Sequence, residues 1–195
     1  MNMRLTGKHR KLILLPLLGL LAPLIFTLAS GIHTTQAAST ADYWPMFMSG
    51  PGHTGYNKAQ TIINKTSASN LKQHWSFQTG GAISSQPVVD NGLVYWGSWD
   101  GNEYATDQNG NKVWATNLGR STSSGCKATT GVASTANIVS INVGAASRVL
   151  FVAGGDASVY ALDASNGKVL WRTALGTPPD TFIWDSPTYY AGQLY

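Results

Sequence analysis

Residues 93–114 read LVYWGSWDGNEYATDQNGNKVW, and residues 149–171 read VLFVAGGDASVYALDASNGKVLW. The two stretches align along their length once one residue is added at the third turn. Tyr95 falls on Phe151, Asp100 on Asp156, Tyr104 on Tyr160, Ala105 on Ala161, Asp107 on Asp163, Gly110 on Gly167 and Trp114 on Trp171. In the first copy, Asn91-Gly92, Asp100-Gly101 and Asn109-Gly110 are hairpin signals, because Asn, Asp and Gly accept the backbone angles that tight turns impose. The β-rich runs 86–90, 93–98, 102–106 and 112–116 lie around them. Four short strands joined by tight turns make an antiparallel meander. Val94, Tyr95 and Trp96 are apolar at consecutive positions, which predicts a strand covered on both faces.

The pattern extends in both directions. DSPTYYAGQLY (185–195) matches SQPVVDNGLVY (85–95), with Pro187 on Pro87 and Gly192 on Gly92. LKQHWSFQTG (71–80) reads as the closing strand of an earlier copy, its Trp75 lying 39 residues before Trp114. The next interval, Trp114 to Trp171, is 57 residues. The excess is assigned to a loop insertion around RSTSSGCKATTG (120–131). A period near 40 with four strands per unit predicts an all-β protein, a β-propeller whose four-stranded antiparallel blades stack face to face. The chain holds about two blades plus partial ones, and is expected to be an N-terminal fragment of a longer reading frame. The first copy has Glu103 and Thr106 where the second has Val159 and Leu162, which marks the first blade as partly exposed. Trp99-Asp100 is not a WD40 signature, since no partner Gly-His accompanies it and the second copy has Gly155-Asp156 there.

The unit V-Y-x-G-S-x-D-G-x-x-Y-A-x-D-x-x-x-G-x-x-x-W resembles the repeat of the PQQ-type (pyrroloquinoline quinone) β-propeller family, and GGDASVYALDASNGKVLW matches it almost position for position. DYWPMFMSGPGHTGYN (42–57) resembles the start of exported bacterial members. The resemblance implies that the blade-end tryptophans, here Trp75, Trp114 and Trp171, dock one blade onto the next. Enzymes of that family have a vicinal Cys-Cys disulfide over the quinone, a Ca²⁺ bound by Glu, Asn and Asp, and an Asp base. This sequence departs from that set: it has one Cys, and Glu103 is its only glutamate.

Residues 1–38 have a separate character. A basic head, MNMRLTGKHRK, precedes the apolar run LILLPLLGLLAPLIFTLAS (12–30) and then small and polar residues. This is the layout of a secretory signal, and the run is also long enough for a retained N-terminal anchor helix. Both readings send the rest of the chain out of the cytoplasm. The formal charge of +4 comes from Arg4, Lys8, Arg10 and Lys11, because nine basic residues balance nine acidic ones from residue 39 onward. A nucleic-acid partner is therefore not expected, and membrane contact is expected only through an uncleaved N-terminus. Residues 39–74 form a lead-in segment and linker, and 75–195 carry the repeats. Cys126 reads either as half of a disulfide to a partner elsewhere or as a free thiol. Its solitude excludes a redox dithiol. No histidine pair has metal-ligand spacing, and no nucleophile elbow or phosphate loop occurs.

The repeated aspartates Asp100, Asp107, Asp156 and Asp163 read as turn residues. No catalytic or metal-binding residue is assignable, and no cofactor; PQQ with Ca²⁺ belongs to the enzyme alternative. In a propeller the connecting loops carry specificity, so 120–131 and TPPDTFIWDS (177–186) are the expected contact surfaces. Trp184 with Asp185 is the pair singled out there, against the plainer reading of Trp184 as a packing aromatic before a strand. The first reading of function is an exported binding or assembly scaffold for a protein or polymer ligand. The alternative is a PQQ-dependent dehydrogenase oxidising alcohols or polymer hydroxyls.

Overall fold

A computed structural model describes residues 43–122 and 128–195. Among these, two four-stranded antiparallel sheets repeat one plan. The first runs in chain order through β1 (Val88–Asp90), β2 (Leu93–Gly97), β3 (Asn102–Asp107) and β4 (Lys112–Asn117). A two-stranded ribbon follows, β5 (Ser121–Thr122) with β6 (Thr129–Thr130). The second sheet comprises β7 (Asn137–Val139), β8 (Val149–Ala153), β9 (Ser158–Asp163) and β10 (Val169–Ala174). A third copy opens with the hairpin β11 (Tyr189–Tyr190) and β12 (Gln193–Leu194). The N-terminal apolar segment and Cys126 lie outside the described residues.

Local chemistry fixes the turns. Asn91 and Gly92 both take positive φ, 48° and 77°, which is the type I′ geometry whose twist suits two antiparallel strands. Leu93 pairs with Asp90 and Val94 with Val89, so the turn sets the register of the whole meander.

The consecutive apolar residues are used on both faces. Tyr95, Ala105 and Trp114 turn toward the second sheet and share a buried cluster with Leu150, Val152, Tyr160 and Leu162. The equivalents of Tyr95 and Ala105, Phe151 and Ala161, line the far face of the second sheet, where Tyr189 and Leu194 pack against them. Each sheet thus buries one face on its successor. Every fully buried leucine or valine in that stack contributes about 1.5–3 kcal/mol relative to exposure.

Segment 43–46 runs beside the first strands of both sheets. Trp44 exchanges two backbone hydrogen bonds of 2.8 Å with Val89, and the Pro45 carbonyl accepts from Ile138 N–H at 2.7 Å. A second series of bonds links the residues that precede each first strand. Gln86 N–H donates to Thr135 Oγ1 at 2.8 Å, and Thr135 N–H donates to Ser186 Oγ at 2.9 Å. These three residues occupy the same position in successive copies.

Two expectations are corrected. Glu103 and Thr106 do not mark an exposed sheet; both are 0% exposed. Glu103 pairs across the strands with Gly97 and Thr116, and Val132 packs directly on Gly97, closing the sheet over it. The extra residues of the longer interval are also not one insertion. Part lies before β7 in the ribbon region, but 140–148 form a second insertion between β7 and β8, where the first copy has only Asn91 and Gly92.

Candidate functional site

The connections entering β1, β7 and β11 lie on the same side as the β2–β3 and β8–β9 turns. Trp99 N–H donates to the Ala82 carbonyl at 2.8 Å, and Val132 N–H donates to the Ser98 carbonyl at 2.9 Å. The approach is close enough to require glycine: a Cβ on Gly81 would lie 2.5 Å from Asp100 N.

Each β2–β3-type turn is held by an aspartate and a tyrosine. Tyr104 Oη donates to Asp100 Oδ2 at 2.7 Å, and Tyr160 Oη donates to Asp156 Oδ2 at the same distance. Asp100 also accepts from Gly80 N–H at 2.8 Å and from Asn102 N–H at 3.0 Å. Partial burial pushes the Asp100 carboxyl up, but hydrogen bonds from Tyr104, Asn102 and Gly80 outweigh it and hold its pKa below the ordinary value. Asp156 instead takes Arg172, whose Nη2 donates at 2.8 Å. Asp107 and Asp163 sit in the next turn and accept from nearby backbone N–H groups.

The blade-end tryptophans have different surroundings. Trp114 is 7% exposed, and its Nε1 donates to the Ala164 carbonyl at 3.0 Å. It lies on Gly167, where a Cβ would come within 2.6 Å of the indole. Trp75 is half-buried and lies on Gly110, the equivalent of Gly167, within 2.8 Å of a Cβ there. Segment 71–79 around it belongs to none of the sheets. Trp171 is 36% exposed and touches Phe151 of its own sheet, with ring centroids 5.7 Å apart.

Trp184 and Asp185 are both exposed. Trp184 meets Trp99 with centroids 6.1 Å apart and planes at 64°, and Phe182 stacks beside it at 6.4 Å and 24°. Trp99 is pinned by its Nε1, which donates to Ser84 Oγ at 2.8 Å. Asp185, Ile183 and Leu175 border a cavity of about 240 Å³ with Ala153, Val159 and Tyr195. Trp99, read from sequence only as part of a turn, thus belongs with Trp184; its signal was Gly155 at the same position of the second copy.

Among the described residues, no group of three or more His, Cys, Asp or Glu comes together to hold a metal ion.

A PQQ-repeat family model, described as "Outer membrane protein assembly factor BamB", matches residues 101–195. The repeats are of the PQQ type. A polyvinylalcohol dehydrogenase of Pseudomonas sp is 26% identical to this chain over 159 residues, 80% of this chain and 23% of the relative. A polyvinylalcohol dehydrogenase of Sphingopyxis sp. (strain 113P3) is 31% identical over 127 residues, 64% of this chain and 18% of the relative. The europium-containing methanol dehydrogenase structure superposes with a TM-score of 0.58 at 20% identity, covering 79% of this chain and 27% of its own. That likeness concerns fold: the two four-stranded sheets correspond to propeller blades. The chain spans about a fifth of the length of these curated relatives.

Proposed function

We propose that the PQQ-type blades described here belong to an exported dehydrogenase that oxidises the hydroxyl groups of alcohols or of a hydroxylated polymer. The observation that carries this reading is the alignment, over 80% of the chain, with a polyvinylalcohol dehydrogenase. Export rests on the pattern of residues 1–38.

The geometry defines what these blades contribute. Their buried interface and cross-linked first strands give a rigid wall, and their turn face presents aromatic and carboxylate groups. PQQ, when bound, would supply the oxidising power by accepting the two electrons lost from the alcohol carbon. Among the described residues no three His, Cys, Asp or Glu side chains converge, so these blades offer no carboxylate cluster for Ca²⁺. The test is a titration of the full-length protein with PQQ and Ca²⁺, followed by tryptophan fluorescence and dye-linked alcohol oxidation. Saturable changes in both are expected; a flat response in both overturns the reading.

A second reading, a non-catalytic binding or assembly scaffold, is favoured by one observation. The matching family model is described as an outer membrane protein assembly factor. The same titration separates the two.

A further inference from the structure

We propose that Phe182, Trp184 and Trp99, together with Asp185, form a ledge that binds a hydroxylated polymer chain. The ligand class rests on the dehydrogenase reading above; the existence of the site rests on four features of the repeat.

The first is a broken pattern. Ser85 and Ser134 occupy equivalent positions, and each clasps the strand opposite in both directions. Ser85 Oγ accepts from Gly97 N–H at 2.9 Å and donates to the Gly97 carbonyl at 3.0 Å. Ser134 Oγ does the same with Ala153, at 2.9 and 3.3 Å. The third copy places Asp185 there. An ionised carboxylate accepts hydrogen bonds but donates none, so Asp185 cannot reproduce the clasp. Departures from a local rule that the fold itself favours are where function is sought.

The second is Trp99. The second copy has Gly155 at the same turn position, which shows that the turn does not need an indole. Trp99 is nonetheless fixed by its backbone N–H to Ala82 and its Nε1 to Ser84.

The third is the row itself. Phe182, Trp184 and Trp99 come from connections some eighty residues apart in sequence, yet their rings succeed one another at 6.4 and 6.1 Å. Trp184 is 51% exposed. Rigid aromatic side chains present large contact areas at small cost in conformational entropy, and a row of them suits an extended chain better than a compact alcohol.

The fourth is chemical complementarity. Aromatic faces carry negative quadrupole charge and attract the C–H groups of a carbon backbone, while a carboxylate accepts strong hydrogen bonds from hydroxyls. A polymer that alternates C–H and O–H groups meets both needs. A cationic ligand would also favour carboxylate and indole, but its binding would weaken as salt rises.

The experiment uses the full-length protein, with polyvinyl alcohol and a soluble linear glucan as probes, and reads binding by tryptophan fluorescence and by retardation in polymer-containing native gels. Saturable binding of at least one probe, unchanged by high salt, is expected. Trp184→Ala should weaken it about tenfold and Asp185→Asn by a smaller factor, with Trp184→Phe in between as the variant that keeps a ring. The two probes distinguish an open carbon chain from a sugar ring. Binding of neither polymer, binding abolished by salt, or equal affinity in all variants overturns the ledge. Polymer oxidation with unaltered affinity in the variants also overturns it while leaving the dehydrogenase reading intact. Trp184-dependent binding with no response to PQQ and Ca²⁺ supports the ledge and ends the dehydrogenase reading.

Discussion

The indole of Trp114 and the carbonyl of Ala164 meet across the interface of the two sheets at 3.0 Å. The same carbonyl accepts from Tyr95 Oη at 3.2 Å, so two aromatic side chains of one blade converge on one turn of the next. Both donors are buried, and a buried polar group left without its partner costs about 1–3 kcal/mol. Trp114→Ala removes both the indole's area and its hydrogen bond, and should destabilise the protein by about 3–5 kcal/mol. Trp114→Phe keeps most of the area and should lose about 1–2 kcal/mol. Chemical denaturation of the two variants checks the ordering; a Trp114→Phe variant as stable as the wild type would mean that the bond to Ala164 contributes nothing.

A second link joins the blades through charge. Arg148 makes a bidentate pair with Asp90, its Nε donating to Oδ2 at 2.8 Å and its Nη2 to Oδ1. The Asp90 side chain is 2% exposed and that of Arg148 33% exposed. This asymmetry predicts asymmetric variants. Arg148→Ala leaves a buried carboxylate without its cation, a situation that costs about 3–5 kcal/mol. Asp90→Ala leaves an arginine that can turn to water, and should cost less. Comparing the denaturation midpoints of the two single variants reads the difference directly.

The sequence made the meander, the turns and the two-sided strands legible because each is local: a hairpin signal or a run of apolar residues acts over a few positions. Trp99 beside Trp184 was not legible, since that contact depends on how successive blades curve around one another. Arg148 was missed for a related reason. Its insertion between β7 and β8 has no counterpart in the first copy, so alignment of the repeats gave it no role. Glu103 misled because a glutamate in a strand suggests solvent, whereas its neighbours across the sheet seal it.

The Asp100–Tyr104 turn predicts an acid-sensitive contribution. The Asp100 carboxyl has its pKa held below the ordinary value, so folding favours its ionised form. That contribution is complete above the unfolded value and is lost as pH falls through the folded one. Tyr104→Phe removes the shortest of its hydrogen bonds. The variant should lose less stability than the wild type on moving from neutral to acid pH. Thermal melts across the acid range, wild type against Y104F, are the measurement; parallel curves would rule the contact out as a source of the acid limb.

Glu103 predicts the opposite dependence. It is fully buried, both carboxyl oxygens have no hydrogen-bond partner, and burial pushes its pKa well above 4.5. The folded state therefore favours the neutral carboxyl more than the unfolded chain does, and folding is coupled to proton uptake above the unfolded value. Stability from this group is intact below the unfolded value and declines as pH rises from there toward the elevated folded value. The second blade has Val159 at this position, and replacing a buried unpartnered polar group by an apolar one of similar shape is neutral to stabilising. Glu103→Val should therefore raise stability at neutral pH by about 1–3 kcal/mol and flatten the alkaline side of the stability profile. Glu103→Gln should flatten the profile as well with little gain, because its amide remains unpartnered. Denaturation of the three proteins between mildly acid and mildly alkaline pH decides the matter: if wild type and both variants keep the same slope, Glu103 is not the group that couples folding to protons.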